Sequence, residues 1–291
     1  MSYRVAGIGE VLWDRFPDGD RLGGAPSNFA FHSAQLGAEG HIVSRVGRDP
    51  DGLRILKTLT DHGLAVDLIQ QDAAHRTGLV RVKITLGQPS YVIEHPSAWD
   101  HLELTPPLKE VAKNLDAVCF GTLAQRNEVS RKTIQKFIQL CPQKTLRLFD
   151  INLRQDYFTR EIIEFGLTHA TVLKLNDDEL ERIGRILEWS APAEETVAQL
   201  FKLFPLTVIA VTHAAEGCTL HSRSQSVRAR APKVTCVDAV GAGDAFSAAL
   251  VCGLLHQQPL EKIAEHANRV GAYVAGKPGA MPPLPPELLE P

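Results

Sequence analysis

The segment from Asp238 to Asp244 has the clearest chemical character in this sequence. It reads Asp-Ala-Val-Gly-Ala-Gly-Asp and comes directly before an apolar stretch with helical periodicity, which predicts a helix from about Ala245. Small residues let consecutive backbone N–H groups point at one spot, and a helix N-terminus adds roughly half a positive charge there. The segment therefore predicts an anion-binding hole.

Asp244 is the last residue of that segment. A carboxylate inside an anion hole would repel a bound phosphate, but it can accept the proton of a substrate hydroxyl beside a phosphoryl group. The alternative is a first-turn carboxylate that only stabilises the helix dipole. The residues of this segment leave both interpretations open.

A second motif, Gly23-Gly24-Ala25-Pro26-Ser27-Asn28, precedes a predicted helix from Phe29 to Leu36. Glycines allow a backbone to approach a ligand closely, and the Asn28 amide offers both a donor and an acceptor to a polyol. By itself the motif is equally typical of an ordinary turn and helix cap.

A third motif, Asn176-Asp177-Asp178-Glu179, follows the apolar run Val172 to Leu175. Its spacing puts the Asn176 amide and the Glu179 carboxylate on one helix face, which suits water-mediated contact with Mg²⁺. A capping box, with Asn176 at the cap and Glu179 three residues later, explains the same pair equally well.

The elements that must position these residues are short apolar runs rich in β-branched side chains, alternating with stretches of helical periodicity. The runs are Val5–Ile8, His41–Val46, Ala117–Phe120, Leu146–Phe149, Thr171–Leu175 and Thr207–Val211. This alternation predicts an α/β fold with a doubly wound, mainly parallel sheet flanked by helices.

Two stretches interrupt that alternation. Val11 to Phe16 is followed by the turn Pro17–Asp20, and Thr77 to Thr85 is followed by a turn at 86–89 and the alternating run Ser90 to Glu94. They predict a small β-sheet lid over residues 11–25 and 73–102, inserted into an α/β core formed by residues 1–10, 26–72 and 103–291.

The composition is that of a globular enzyme. The 291 residues carry a net charge of −3, with 22% charged and 44% hydrophobic residues and without a basic run or a nucleic-acid-binding motif. No apolar window is long enough to span a bilayer, and the N-terminus does not resemble a signal peptide. A cytoplasmic protein that binds neither nucleic acid nor membrane is expected.

The order of the three motifs resembles the ribokinase-like (PfkB) carbohydrate kinases from Gly7 to about Pro283. Further strings resemble the fructokinase branch: Gly9–Asp14, Ala98–Asp100, Gly121–Arg126 and Asp150–Arg154. The resemblance implies an enzyme that transfers the γ-phosphoryl group of ATP to a small sugar, with the 6-hydroxyl of fructose as the expected acceptor.

The resemblance also implies roles for individual residues. Asp244 would be the catalytic base, with an anion hole at Gly241, Ala242 and Gly243. The sugar would contact Asp14, Gly24, Asn28, Trp99, Arg126, Asn152 and Arg154, the last two bordering either sugar or phosphates. The nucleotide would contact Asn176, Thr212, Ala214, Gly217, Gly241, Gly243, Ala267 and Asn268.

Metal roles follow from the same resemblance. Asn176 and Glu179 would organise Mg²⁺ through water. Asp238, the carbonyl of Val240 and carbonyls around Gly276–Ala280 could hold a monovalent cation, with K⁺ as the candidate. A homodimer formed through the lid is a further option that the family allows.

The chain departs from the family pattern before the nucleotide loop. His213 and Ala214 stand where a basic residue and glycine are common. If Ala214 adopts a positive φ, it carries about 1 kcal/mol of strain, which leaves the nucleotide preference open. Ala239 replaces a frequent threonine, a change expected to be mild.

Other enzyme classes lose support because their motifs are absent. The sequence has no P-loop, dinucleotide fingerprint, zinc-hydrolase motif or serine-hydrolase elbow. The alternatives are a kinase of the same family acting on 2-keto-3-deoxygluconate, ribose or a nucleoside, and a sugar- or nucleotide-sensing protein without turnover. The carboxylate of Asp244 argues against the sensor, which would not need a base in its anion hole.

Overall fold

The computed structural model describes residues 2–85, 88–189 and 192–290. The strands are β1 (Arg4–Ile8), β2 (Leu12–Phe16), β3 (Gly19–Gly23), β4 (Glu39–Gly47), β5 (Ile69–Asp72), β6 (Gly78–Thr85), β7 (Gln88–Ile93), β8 (Ala117–Phe120), β9 (Leu146–Asp150), β10 (Val172–Asn176), β11 (Val208–Thr212), β12 (Cys218–Ser222) and β13 (Ser226–Ala229). The helices are α1 (Ala25–Gln35), α2 (Pro50–Asp61), α3 (Pro106–Lys113), α4 (Glu128–Leu140), α5 (Arg160–His169), α6 (Asp177–Ile186), α7 (Ala193–Leu203), α8 (Ala242–Leu255) and α9 (Leu260–Ala275).

A nine-stranded sheet forms the core, in the order β13-β12-β11-β10-β9-β8-β1-β4-β5. The strands from β11 to β5 pair in parallel, and β12 and β13 add an antiparallel edge. Each of the six apolar runs singled out in the sequence is a strand of this sheet. The α/β fold class with a mainly parallel sheet is confirmed.

Helices cover both faces of the sheet because successive side chains of its strands point to opposite faces. Leu148 of β9 packs with α1, α8 and α9, whereas its neighbour Phe149 packs with α3 to α7. Ile134, Phe137 and Ile138 of α4 have helical spacing and lie buried on the second face. Two apolar layers therefore hold the sheet rigidly between them.

The two stretches predicted to form the lid make a second sheet of four strands, in the order β3-β2-β6-β7, and this sheet keeps the name lid below. All four strands lie inside the ranges 11–25 and 73–102. The turn predicted over Pro17–Asp20 is shorter than expected, because β3 already begins at Gly19 and pairs antiparallel with β2. The second predicted turn, at 86–89, includes residues 86 and 87, which lie outside the described part of the chain.

The lid is attached to the core through α2. The indole N–H of Trp13 donates to the carbonyl of Asp51 at 3.0 Å, and the Arg54 guanidinium lies 4.0 Å from the Trp13 ring centroid. Asp20 of β3 accepts from Arg15 and also from Arg54. These contacts fix one face of the lid to α2, and the opposite face carries Asp14 and Arg21.

Among the described residues, no helix combines the length and the apolar character needed to cross a membrane.

Candidate active site

The anion hole lies at the start of α8. The helix begins at Ala242, three residues earlier than predicted, because Gly241 takes the cap position with φ of 80°. A side chain on Gly241 would also collide with Ala280, whose Cα would lie 2.7 Å from the added Cβ. Glycine is therefore required here by conformation and by space, and Asp244 becomes the third residue of the helix.

Asp244 contacts the second motif directly. The side-chain amide of Asn28 donates to Asp244 Oδ2 at 2.7 Å, across 216 residues of chain. Asn28 lies in the first turn of α1, which begins at Ala25 rather than Phe29, since Pro26 is well suited to a first helical turn. Asn28 Oδ1 is buried without a hydrogen-bond partner among the described atoms, so it is free to accept from a substrate hydroxyl.

Burial raises the pKa of Asp244 to about 6, and repulsion from the Asp150 carboxylate adds to the rise. The hydrogen bond from Asn28 and the charges of Lys174 and Arg154 act in the opposite direction. A carboxylate with a pKa closer to neutral is a better proton acceptor than an exposed aspartate.

A buried ion pair lies beside Asp244. No sequence motif pointed to it. Lys174 of β10 and Asp150 of β9 are register partners on neighbouring strands, with Lys174 Nζ 3.0 Å from Asp150 Oδ2. Ser247 of α8 donates to the same carboxylate at 2.9 Å. A lysine inside the apolar run Val172–Leu175 was the available signal, since a buried ammonium needs a partner.

The Lys174 ammonium borders the anion hole. A Cβ placed on Gly243 would lie 3.0 Å from Lys174 Nζ. Burial alone would lower the pKa of Lys174. The carboxylates of Asp150 and Asp244 outweigh that effect and raise the pKa, so the ammonium stays charged. The site therefore combines backbone donors, a helix N-terminus and one fixed positive charge.

A small cavity continues from these groups between β1, β8 and β9. Its lining includes Glu10, Pro26, Gly121, Thr122, Asp150 and Asn152. Glu10 is only 6% exposed, and burial raises its pKa to about 7, with repulsion from Asp244 contributing. Glu10 is a second residue that the sequence analysis did not single out, although its position after the first strand places it at the carboxyl edge of the sheet.

The loop after β9 places Asn152 in the lining of this cavity and continues to Arg154. Asn152 has a φ of 45°, a left-handed conformation that asparagine tolerates better than most residues. Among the described residues, Arg154 donates a hydrogen bond to the Leu153 carbonyl at 3.3 Å. Its charge acts against the rise in the pKa of Glu10, Asp14 and Asp244 that burial causes. It is therefore an exposed cation that faces three carboxylates.

Asn176 and Glu179 form a capping box at the start of α6. Asn176 Oδ1 accepts from the Glu179 N–H, and Glu179 Oε2 accepts from the Asn176 N–H. Glu179 Oε1 also accepts the N–H of Leu153 at 2.9 Å, which ties α6 to the loop of Arg154. The capping interpretation is thus realised, and each carboxylate oxygen keeps a further lone pair for a water molecule.

Asp14 lies on the lid strand β2. Burial raises its pKa to about 6, and the Asp238 carboxylate adds to the rise. A Cβ on Gly23 would lie 2.3 Å from Asp14 Oδ2, and one on Gly24 would lie 2.5 Å from the Glu10 carbonyl oxygen. The two glycines therefore let β3 and α1 pass close to the groups expected to hold a sugar.

The predicted nucleotide loop follows β11. Ala214 has a φ of 47°, the strained conformation that the sequence analysis expected from the absence of glycine. His213 is bonded on both nitrogens, through Nδ1 to Asp177 at 2.8 Å and through Nε2 to Thr219 at 2.8 Å. Thr212 Oγ1 donates to the Leu175 carbonyl at 3.4 Å. These contacts position the loop against α6.

Three other predicted nucleotide residues lie on the adjoining elements. Gly217 has a φ of 104°, and a side chain there would collide with the Ala229 carbonyl. Ala267 and Asn268 are buried in α9, where the Asn268 amide donates to the same carbonyl at 2.9 Å. Both α9 residues support the wall behind the loop, and contact with an adenine stays a prediction.

Trp99 and Arg126 belong to a network at the base of the lid. Arg126 makes two hydrogen bonds of 2.8 Å to Asp100 and lies 4.0 Å from the Trp99 ring centroid. It also donates to the Glu94 carbonyl, where the chain returns from the lid. Trp99 and Asp100 are almost fully buried. These contacts brace the lid, and direct sugar binding by either residue stays a prediction.

Asp238 braces the approach to the anion hole. Its Oδ1 accepts the Val240 N–H at 3.0 Å, and its Oδ2 accepts the Gly279 N–H at 3.3 Å. The carboxylate thus joins the loop before α8 to the loop after α9.

Comparison with known proteins identifies the family of this chain. Residues 19–287 match the model of the pfkB family of carbohydrate kinases. The chain is 31% identical to a fructokinase of Escherichia coli, over 98% of this chain and 97% of that protein.

Solved structures have the same fold. A sugar kinase of Pyrococcus horikoshii in complex with ATP superposes with a TM-score of 0.81 at 26% identity, covering 95% of this chain and 94% of that chain. The 2-dehydro-3-deoxygluconokinase of Thermotoga maritima superposes with a TM-score of 0.85 at 19% identity, covering 99% and 97%. Because the family match extends over most of the chain, from residue 19 to residue 287, the chain belongs to the pfkB family of carbohydrate kinases.

Proposed function

We propose that the protein transfers the γ-phosphoryl group of ATP to the 6-hydroxyl of fructose. The observation that carries the proposal is the buried Asp244 carboxylate in the first turn of α8, bonded to Asn28, whose Oδ1 has no partner among the described atoms. Similarity to the E. coli fructokinase favours fructose, and the ATP complex of the P. horikoshii kinase supports ATP as donor.

The sugar would lie between the lid and the start of α8. Asn28 Oδ1 would accept a hydrogen bond from one sugar hydroxyl, and Asp14 would hold others from the lid. Asp244 would accept the proton of the attacking hydroxyl as the new oxygen–phosphorus bond forms. The lid would exclude water, which would otherwise compete as an acceptor.

The phosphates would lie against the N–H groups of Gly241 to Gly243. Lys174 lies within reach of this hole and would oppose the negative charge of the transferring group. Its partner Asp150 holds the ammonium in place through two short contacts. Removing the Lys174 charge would therefore destabilise the transition state more than the ground state.

The capping box fits Mg²⁺ only through water. The oxygens of Glu179 already accept two backbone N–H groups, so they suit ordered waters rather than direct ligation. Asn176 and Glu179 would hold those waters at the phosphate side, and the ion would supply charge neutralisation on the phosphates.

A coupled assay of ADP release tests the proposal with a panel of fructose, ribose, 2-keto-3-deoxygluconate and adenosine. Fructose should give the highest kcat/KM, and the product should carry phosphate on C6. Phosphate on C1, or slow turnover of fructose beside fast turnover of another panel member, would reject fructose as the substrate. Failure of every panel member to react would favour the sensing protein.

A second candidate, an acidic sugar such as 2-keto-3-deoxygluconate, is favoured by Arg154. Its exposed guanidinium has no ion pair among the described residues, and its charge acts against the rise in the pKa of Glu10, Asp14 and Asp244. A sugar carboxylate would pair with it. Arg154→Gln should raise KM for an acidic sugar about tenfold or more and change KM for fructose much less, so the ratio of the two effects identifies the substrate class.

A further inference from the structure

Arg21 is a lid residue that extends to the anion-hole loop. It lies opposite Asp14 in the pairing of β2 with β3, so both side chains point to the face of the lid that covers the site. Its guanidinium carbon lies 4.1 Å from the Phe16 ring centroid, and Nη2 donates to Asp18 at 3.0 Å. Arg21 Nη1 then lies 3.5 Å from Asp238 Oδ2.

Asp238 is the residue at which the sequence predicts a monovalent cation. In the described structure both of its oxygens accept backbone N–H groups, and Arg21 is the cation that forms an ion pair with it. The Asp238 side chain is only 11% exposed. A potassium ion on the same carboxylate would repel the guanidinium, so the Asp238 carboxylate does not suit K⁺ while Arg21 is held in place.

The loop that Asp238 braces leads directly into the anion hole. Val240, whose N–H the carboxylate holds, precedes the cap residue Gly241. Gly279, held by the other oxygen, precedes Ala280, which packs against Gly241. A positive charge at Asp238 therefore supports the backbone that binds phosphate, and here that charge comes from the lid.

We propose that Arg21 takes the place of a monovalent cation at Asp238, so that the anion-hole loop is set by the covering lid and turnover does not need K⁺. This inference rests on the proposed sugar kinase activity. Arg21 would be a positioning residue, since it acts through Asp238 and does not touch the reacting atoms. The proposal replaces the sequence-based expectation of K⁺ dependence.

The test compares wild type, Arg21→Gln and Arg81→Gln in K⁺, Na⁺ and tetramethylammonium chloride at matched ionic strength. Arg81 is the matched control, because it is an exposed lid arginine paired with Glu94 at 2.6 Å, away from Asp238. Wild type and Arg81→Gln should keep kcat/KM for ATP within about twofold in all three salts. Arg21→Gln should lose about tenfold in tetramethylammonium, and K⁺ should restore it to within about threefold.

Three results would overturn the proposal. Equal stimulation of wild type and Arg21→Gln by K⁺ would show that the ion acts independently of Arg21. Full activity of Arg21→Gln in every salt would show that the charge is not needed. A loss that K⁺ cannot restore would assign Arg21 a different role, such as holding the lid closed.

Calorimetric titration of the same variants with Mg-ATP, without sugar, separates this proposal from the proposed substrate. The affinity of Arg21→Gln for ATP should be lower in tetramethylammonium than in K⁺, whereas that of wild type should not change. If the wild type binds ATP but phosphorylates no panel sugar, the sugar assignment fails while the titration still decides the role of Arg21.

Discussion

Asp244 is the residue on which the proposed mechanism depends most. Asp244→Asn keeps the volume and one acceptor for the Asn28 amide, but it cannot take a proton. We expect kcat to fall about 10²–10⁴-fold, with KM for sugar and ATP changing little. Steady-state kinetics measures both.

Glu261→Gln is the matched control, because Glu261 is an exposed first-turn carboxylate of α9. If Asp244 served only the helix dipole, both substitutions would cost about 0.3–1 kcal/mol of stability and leave kcat within a few fold. Near-normal turnover by folded Asp244→Asn would refute the mechanism.

The pH profile follows from the same carboxylate. Asp244 must be ionised to accept a proton, and burial raises its pKa to about 6. The rate should therefore rise with pH through about 6 and level off above it, rather than through the ordinary value near 4. An acid limb centred near 4 in kcat/KM for the sugar would contradict the assigned environment.

The free energy of unfolding should fall with rising pH, whereas the rate should increase. The raised pKa means that the folded protein binds this proton more tightly than the unfolded chain does. The free energy of unfolding therefore falls as the pH rises from about 4 to about 6. Asp244→Asn removes this cost, so denaturant titration at about pH 7.5 should find the variant roughly 1–3 kcal/mol more stable.

That gain should shrink below pH 4, where the carboxyl group is protonated in both states of the wild type. An Asp244→Asn protein that is equally stable or less stable at neutral pH would show that burying the charged Asp244 carboxylate does not destabilise the folded protein.

At the scale of elements, the lid carries two of the three tryptophans. Trp13 contacts α2 through its indole N–H and the Arg54 guanidinium, so a movement of the lid must change its surroundings. Fructose should therefore alter the fluorescence of a Trp189→Phe protein, since Trp189 lies after α6, outside the lid. Binding measured by calorimetry without a fluorescence change would refute lid closure around the sugar.

The sequence predicted most of the strands, because local patterns determine them. The buried runs Ala117–Phe120 and Leu146–Phe149 are strands within a residue of their predicted bounds. β3 was not predicted, because several partners of its polar residues come from distant segments: Arg54 of α2 pairs with Asp20, and Asp238 pairs with Arg21. Tertiary contacts of this kind leave no local pattern.

Within the candidate site, the helix start at the segment that ends at Asp244 was predictable, because it lies within one motif. The site was not predictable where distant segments meet. The pairing of Lys174 with Asp150 depends on the order of β9 and β10 in the sheet, and the burial of Glu10 depends on α1 and α8 closing above it. Periodicity and spacing carry no information about such contacts between distant segments.

At the scale of the whole molecule, we propose a homodimer formed through the lids. β3 and β7 are the edge strands of that sheet, and Val92 of β7 is 49% exposed. Edge strands with exposed apolar side chains favour pairing with another chain. Sedimentation should give twice the chain mass of 31.9 kDa, and Val92→Lys should shift the equilibrium towards the monomer. A monomer at every protein concentration would exclude the dimer.

The discontinuity of the lid has a consequence for the order of folding. β2 and β6 are parallel neighbours, yet α1, β4, α2 and β5 lie between them in the chain. Bringing them together early would cost the entropy of closing a long loop, which core contacts must first offset. We therefore expect β2 to pair with β6 only after the neighbouring edge of the large sheet has formed, so that the sheet covering the candidate site is completed late in folding.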